Sequence, residues 1–584
     1  MVLKFEFEYV SDNDFFEFLL CFYARNLKFS LEKRANAIIF KVQGVENEIN
    51  AFCASLESLP NSVFVRDFSV KVLENEGVTP SEIKENFAKK DFLTSLNSKA
   101  FLENGALLEN EWGEFVNDSI SFDGGASFSP INRENFKAVL DESLAVLSVR
   151  RGFLVKNERG VCEVGLLSVG LQKDFLNSQE FAKQNSKQEK AGLENSAQNG
   201  VSSLNLRDKF LMATEIKALK TAFVCSNDNL KLLASLEKPL MRLRFSAIFR
   251  NNHDLKISEF RLKLPHNLFF FALGERLFGR GENFLTFTKR ENLGDEFEIY
   301  ELNKELIVLR GLDFINERAK KLILSKDDKN MARISYILSR FDKSALLLEL
   351  SQSYDDILLI DKERNLLNLS LPRSAKQIYA DICADEVGQR LFDNFRLNFK
   401  LLSGEFELKN NFFSLLGLVG QLLELNEKIP KNSTLQLNKD IKIPKNELLS
   451  PNKNDKTLKN KPLTPDNSIQ AAARRLLELA DKSKMPRGVK IDYRVRENSK
   501  DFDYTRTVRS VMSFMLAGVD GENIAYGAVE SLAYFLRDFY DELREKGLVE
   551  CAIISGSLFE SRALAKNTLK HLKNSKASDV PLWI

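Results

Sequence analysis

Few residues in this chain combine the types and spacing that chemistry needs. Near its C-terminal end, "AIISGSLFESRALAKNTLKHL" (552–572) runs an apolar stretch into Ser555-Gly556-Ser557, and a helical pattern follows at Leu564, Leu569 and Leu572. A strand feeding a small-residue turn and then a helix can cradle a phosphate, because the first helical amides are free to donate. Ser555, Gly556 and Ser557 are therefore candidate phosphate or nucleotide contacts. The turn has one glycine where close backbone approach to a nucleotide usually uses two. The competing reading is an ordinary strand-to-helix connection, with Ser561 as helix cap and Ser557 filling space.

Other chemistry is thinly supplied. Histidine occurs only at His253, His266 and His571, with no pair at metal-ligand spacing. The cysteines (Cys21, Cys53, Cys162, Cys225, Cys383 and Cys551) form no CxxC, which argues against zinc ribbons, iron–sulfur clusters and disulfide scaffolds. They read as buried free thiols in a reducing compartment. No metal site and no catalytic residue is expected.

The elements that position these residues lie in a chain long enough for three or four domains, at 584 residues. The 84 basic side chains nearly balance the 82 acidic ones, so charge gives no argument for nucleic acid or an anionic membrane. No apolar run approaches the roughly 20 residues that span a bilayer. The start, "MVLKFEFEYVSDND", lacks the flank and apolar core of a secretory signal, so the expected location is cytoplasmic.

The first 75 residues read strand (3–9), helix (12–27), hairpin (28–34 and 37–42), helix (46–59) and strand (63–73), the split βαβ order of ferredoxin-like folds. Further on, 136–156 reads as helix into strand, and 229–245 as helix, turn at Pro239 and strand. "DILLID" (356–361) and "LLNLSL" (366–371) read as strands in α/β layers. The last 115 residues are strongly helical up to the strand and turn at 551–557. Residues 176–206 and 427–467 are polar and aperiodic and read as excursions from the fold.

These pieces, in this order, resemble the HypF family, carbamoyltransferases that begin cyanide-ligand synthesis for nickel–iron hydrogenases. The resemblance rests on the first 75 residues, "LLASLEKPLMRL" (232–243), "LKLPHNLFFFAL" (262–273), the stretch 272–298 ending near Gly294-Asp295, "NNFFSLLGLVGQLLEL" (410–425) and "IISGSLFESRAL" (553–564). It implies an α/β and α+β multidomain chain. The parts would be an acylphosphatase-like domain over 1–75, a YrdC-like domain over 76–270 with the excursion at 176–206, and a carbamoyltransferase-type domain of the actin-like ATPase superfold over 271–584 with an insertion at 427–467. It also implies that Lys156, in "GFLVKNERG", could be a nucleotide contact, against the reading of a surface lysine at a strand end, and that ATP is the possible cofactor.

Departures from the family bear on its chemistry. The loop after the first strand, "VSDNDFF" (10–16), has no arginine for a phosphate and offers acidic side chains instead. Paired zinc fingers are absent, no histidine falls between 300 and 400, and Ser414 and Ser557 stand where the family has an acid and a second glycine. The sequence therefore predicts a non-catalytic relative that assists hydrogenase maturation or assembly by binding hydrogenase subunits or other maturation proteins. Two alternatives stay open: a carbamoyltransferase-like enzyme using ATP or carbamoyl phosphate with remodelled sites, and an unrelated multidomain α/β protein.

Overall fold

The computed structural model describes residues 1–34, 36–74, 77–80, 89–167, 208–255, 257–340, 344–360, 364–426 and 465–584. Residues 1–340 with 579–584 form one compact unit, and residues 341–578 form a second.

The first unit begins with β1 (Val2–Tyr9), α1 (Phe15–Tyr23), β2 (Lys28–Arg34), β3 (Ala37–Gln43), α2 (Glu46–Leu56) and β4 (Val65–Leu73). The sheet order is β2-β3-β1-β4, antiparallel throughout, as the sequence pattern predicts. Alternation on β1 buries Leu3, Phe5, Phe7 and Tyr9, which pack with Phe16, Phe40 and Phe52 from α1, β3 and α2. Each fully buried phenylalanine contributes about 1.5–3 kcal/mol relative to an exposed one. Phe15 extends this core to Phe92, Trp112 and Phe314, which ties the small sheet to the rest of the unit.

Among the described residues eleven further strands form one mixed sheet. In chain order they are β5 (Ser119–Ser121), β6 (Ser129–Pro130), β7 (Phe153–Asn157), β8 (Gly160–Leu166), β9 (Lys209–Ala213) and β10 (Phe223–Val224). β11 (Leu240–Phe245), β12 (Glu259–Lys263), β13 (Phe284–Asn292), β14 (Glu298–Leu302) and β15 (Glu305–Arg310) complete it. The order is β15-β14-β11-β12-β9-β13-β8-β7-β5-β6, with β10 paired to β11. Helices α3 (Phe136–Ser148) and α4 (Leu268–Phe278) share a second core with its strands, through Phe136, Leu140, Phe269 and Leu273. The chain's end returns here: the amides of Leu582 and Trp583 donate to the carbonyls of Val308 and Leu309 at 2.9 and 3.0 Å.

This sheet displaces the boundary expected at 270/271. Helix α4 crosses that position, and β13 pairs with both β8 and β9, so residues 271–340 pack with the first unit. The excursion expected at 176–206 lies outside the described residues, as does most of that at 427–467. Residues 465–467 instead open a helix.

The second unit carries β16 (Ala345–Glu349), β17 (Ile357–Ile360), β18 (Arg364–Asn365), β19 (Cys551–Ser555) and β20 (Ser575–Ala577), ordered β18-β17-β16-β19-β20. β16, β19 and β20 run parallel. Its helices include α5 (Phe412–Asn426), α6 (Pro465–Lys482), α7 (Gly521–Glu545) and α8 (Arg562–His571). α5 and α6 approach closely, because a Cβ at Gly420 would sit 2.6 Å from the Ala472 carbonyl oxygen. The strand expected at 366–371 is reduced to one bridge, Asn368 to Asp501. Its alternation reflects burial of Leu367, Leu369 and Leu371 against the unit's core, with no continuous ladder.

Candidate functional site

The four residues singled out from sequence fall in different units. Ser555 ends β19 in the second unit, with Gly556 and Ser557 in the turn that follows, and Lys156 is the penultimate residue of β7 in the first.

The turn is closed on itself. Ser555 and Ser557 are buried, and the Ser555 carbonyl accepts from the Leu350 amide at 3.0 Å. The Ser557 hydroxyl accepts from the Gln352 amide at 2.8 Å, while its carbonyl takes the Gln352 side-chain amide at 2.9 Å. Ser557 therefore bonds the loop after β16 as well as filling space. Gly556 has φ +93°, and a Cβ there would lie 2.7 Å from the Leu350 nitrogen and closer still to its oxygen. Ser561 caps α8 as expected, its hydroxyl accepting from the Leu564 amide at 3.4 Å. The Ala563 amide, one of the donors an anion would use, is bonded to the Asp481 carboxylate at 2.8 Å.

Lys156 stands on the wall of an open cleft of about 410 Å³. Three segments build it: Lys89–Asp91 ahead of the helix at 95–104, Asn117–Ser119 entering β5, and Lys156–Arg159 around the turn from β7 to β8. His266 closes the floor, one residue before the cap of α4. Lys156 is exposed, near the end of its strand, with its ammonium 5.7 Å from the Phe128 ring centroid. Among the described residues it has no carboxylate partner. Lys90 pairs with Glu158 at 3.3 Å, and Arg159 is committed to Glu296 at 3.0 Å and Asp313 at 2.8 Å.

Below the cations sits a carboxylate pair. Asn267 accepts the Phe270 amide through its side-chain oxygen and so caps α4. Its nitrogen donates to Asp118 at 2.7 Å and to Asp91 at 3.5 Å. His266 Nε2 lies 3.6 Å from Asp118, and its Nδ1 is buried with no partner among the described residues. Burial opposes charge on Asp118, but His266 and Asn267 outweigh it and hold its carboxyl below the ordinary range. Burial, then the Asp118 charge, pushes Asp91 up. One carboxyl is thus held below the ordinary range beside one pushed above it, the kind of separation an acid–base pair uses. Deeper still, Lys263 bonds Glu296 at 2.9 Å. Glu296 stays well below the usual carboxylate range because Arg159 and Lys263 outweigh its burial.

The cleft can hold an anionic group at Lys156 while presenting hydrogen-bonding carboxyls beneath it. Sequence reasoning reached Lys156 and missed Asp91, Asp118, His266 and Asn267. Their one signal was the scarcity of histidine, which makes His266 conspicuous. Among the described residues no three His, Cys, Asp or Glu side chains group as metal ligands, and no helix is long and apolar enough to cross a membrane.

The mixed α/β fold of this chain is HypF-like. Full-length HypF, in a crystal structure of its phosphate- and nucleotide-bound form, aligns over 100% of this chain and 96% of its own, with TM-score 0.51 and 11% identity. The HypF of T. kodakarensis covers the same shares at TM-score 0.46 and 11% identity. In sequence the chain is similar to protein HydE of Wolinella succinogenes, at 22% identity over 575 residues, 93% of this chain and 91% of that protein. No family model matches the chain.

Proposed function

We propose that this protein is a HypF-derived, non-catalytic accessory factor in the maturation or assembly of nickel–iron hydrogenase. In this reading it acts in the cytoplasm and binds hydrogenase subunits or other maturation proteins. Residues 1–75 serve as an acylphosphatase-like module, the large mixed sheet as a YrdC-like part, and the second unit as an actin-like part turned to scaffolding.

The observation that carries the non-catalytic reading is the β1–α1 loop, where a phosphatase would hold its anion. The Asp12 carboxylate accepts from the Tyr336 hydroxyl and from the Asn316 amide at 3.3 Å. Asn13 donates to the Phe314 carbonyl at 3.0 Å, and Arg340 reaches the Val10 carbonyl at 3.3 Å. The loop is a joint to residues 314–340: its Asp12 is taken up by Tyr336 and Asn316, and the cations that reach it, Arg340 and Lys33, are spent on its Val10 and Asn13 carbonyls. The closed turn at Ser555–Ser557 points the same way.

The cleft at Lys156 favours a second reading, in which the chain retains nucleotide or carbamoyl phosphate chemistry with remodelled residues. The paired Asp91 and Asp118 supply its acid and base. Incubating the purified chain with ATP and carbamoyl phosphate, and following phosphate and pyrophosphate release, separates the two. The accessory reading expects no turnover above buffer. Turnover lost in both Lys156→Ala and Asp118→Asn would replace it with the enzymatic one.

A further inference from the structure

Among the described residues strand β4 is an edge of the first sheet, paired with β1 and with no other strand. Its Phe68, Val70 and Val72 lie opposite Phe7, Phe5 and Leu3, so they share the face that β1 buries under the helices. On β4 that apolar row is left in solvent: the three residues are 61%, 45% and 60% exposed. Long apolar strand edges of this kind are normally blunted by proline, charged side chains, bulges or covering segments, because their amides and carbonyls template another strand. From Asp67 to Val72 there is no proline or bulge, and among the described residues no covering segment; the Asp67 carboxylate accepts the Phe68 amide at 2.8 Å, and both charges, Asp67 and Lys71, lie on the face away from the apolar row.

We propose that β4 pairs antiparallel with β4 of a second copy of this chain, about a twofold axis through Ser69. The argument for this occupant is the charge pattern on the strand's other face. With Ser69 opposite itself, Asp67 of each copy faces Lys71 of the other, giving two symmetry-related opposite-charge pairs. On the apolar face Phe68 meets Val70 in both directions. Slipping by two residues either way breaks the charge match: one neighbouring register sets Asp67 against Ser69, the other sets Lys71 against Ser69. A slip of one residue would turn the faces over. An interface in which each copy offers the same self-complementary patch is what a closed twofold dimer needs. Cross-strand apolar and opposite-charge pairs of this sort are individually favourable.

The geometry also limits the pairing. Arg66 bonds the Lys304 carbonyl and pairs with Glu305 at 3.2 Å, so the β14–β15 turn occupies the start of the strand. The segment open to a partner is 67–72, all of it exposed. Two protomers joined this way carry a continuous eight-stranded sheet with the apolar rows of both copies meeting at the seam.

Sedimentation equilibrium of the full-length chain tests the proposal. The wild type should associate reversibly into dimers. Asp67→Lys alone sets Lys against Lys, and Lys71→Asp alone sets Asp against Asp, so each should weaken association about tenfold or more. The double swap Asp67→Lys/Lys71→Asp restores both pairs and should restore the dimer. Both side chains are exposed, and thermal unfolding of each variant checks that the fold survives. Independently, Ser69→Cys should oxidise to a covalent dimer with an added thiol oxidant, whereas Val72→Cys should not, since the two copies of position 72 lie far apart in this register. A wild type that stays monomeric at about 100 µM, well above ordinary dimer affinities, overturns the proposal. So do single swaps without effect, a double swap that fails to recover association, or equal crosslinking at both cysteines.

Discussion

The carboxylate of Asp481, at the end of α6, accepts the amide of Ala563 at 2.8 Å and the hydroxyl of Ser561 at the same distance. The N-terminus of α8 is thereby filled by the protein's own anion, in the place a phosphate would take after a strand-turn-helix. Asp481→Ala should cost about 1 kcal/mol, as loss of a cap does. It should also make the second unit's melting temperature rise with added phosphate. Wild-type stability responding to phosphate as strongly as the variant would contradict this.

Gly556 holds φ +93° and ψ 152°, a region that side chains with a Cβ avoid. Gly556→Ala carries roughly 1–3 kcal/mol of backbone strain, to which the collision with the Leu350 backbone adds. Thermal unfolding should show a lower midpoint for the variant. An unchanged midpoint would mean that the turn is looser than its packing implies.

How much of this was legible in the sequence differs between the parts. The N-terminal order could be read because period-two alternation in Val2–Tyr9 contrasts with helical spacing in Phe15–Tyr23 and Glu46–Leu56, all within 75 residues. The 270/271 boundary could not, because α4 merely looks like an opening helix; only pairing of β13 with strands before and after the 176–206 stretch shows that the sheet continues. The cleft is non-local in the same way. Asp91, Asp118 and His266 meet because the Leu93 amide bonds the His266 carbonyl at 2.9 Å and Asn267 spans both carboxylates. Nothing in their spacing announces this.

Glu298 is fully buried at the start of β14, 3.0 Å from Arg261 and from Arg310 and 3.9 Å from Arg242. Burial opposes its charge, but the arginines outweigh it and hold the carboxyl down at about 2. In the unfolded chain it titrates at about 4.3. The fold therefore favours the charged form. Its contribution is present above the unfolded value and disappears as pH falls from about 4 toward 2. Acid titration of the wild type should destabilise the first unit across that window. Glu298→Gln, which leaves buried arginines without their carboxylate, should cost roughly 3–5 kcal/mol at neutral pH and flatten the acid dependence. A variant with wild-type acid sensitivity would sink this assignment.

Cys162, on β8, lies beside the cavity lined by Lys263, Phe287 and Glu296. Burial, reinforced by the Glu296 charge, pushes its thiol up to about 12. Because the thiolate is the reactive form, the native protein should resist iodoacetamide at Cys162 near pH 8 and react there only after denaturation. Of the six free cysteines only Cys21 is fully buried, so the expectation of uniformly buried thiols is corrected: the other five are half-buried. Peptide mass mapping reads the outcome, and stoichiometric labelling of Cys162 in the native state would contradict it.

The proposed role is that of a HypF-like scaffold serving hydrogenase maturation without performing the carbamoyl transfer itself. Deleting the gene and measuring hydrogen uptake, with and without added nickel, tests it most directly. That role predicts lost uptake that nickel does not restore and that re-expression of a Lys156→Ala, Asp118→Asn chain does restore. Unchanged uptake in the deletion strain would contradict it, as would rescue by nickel alone.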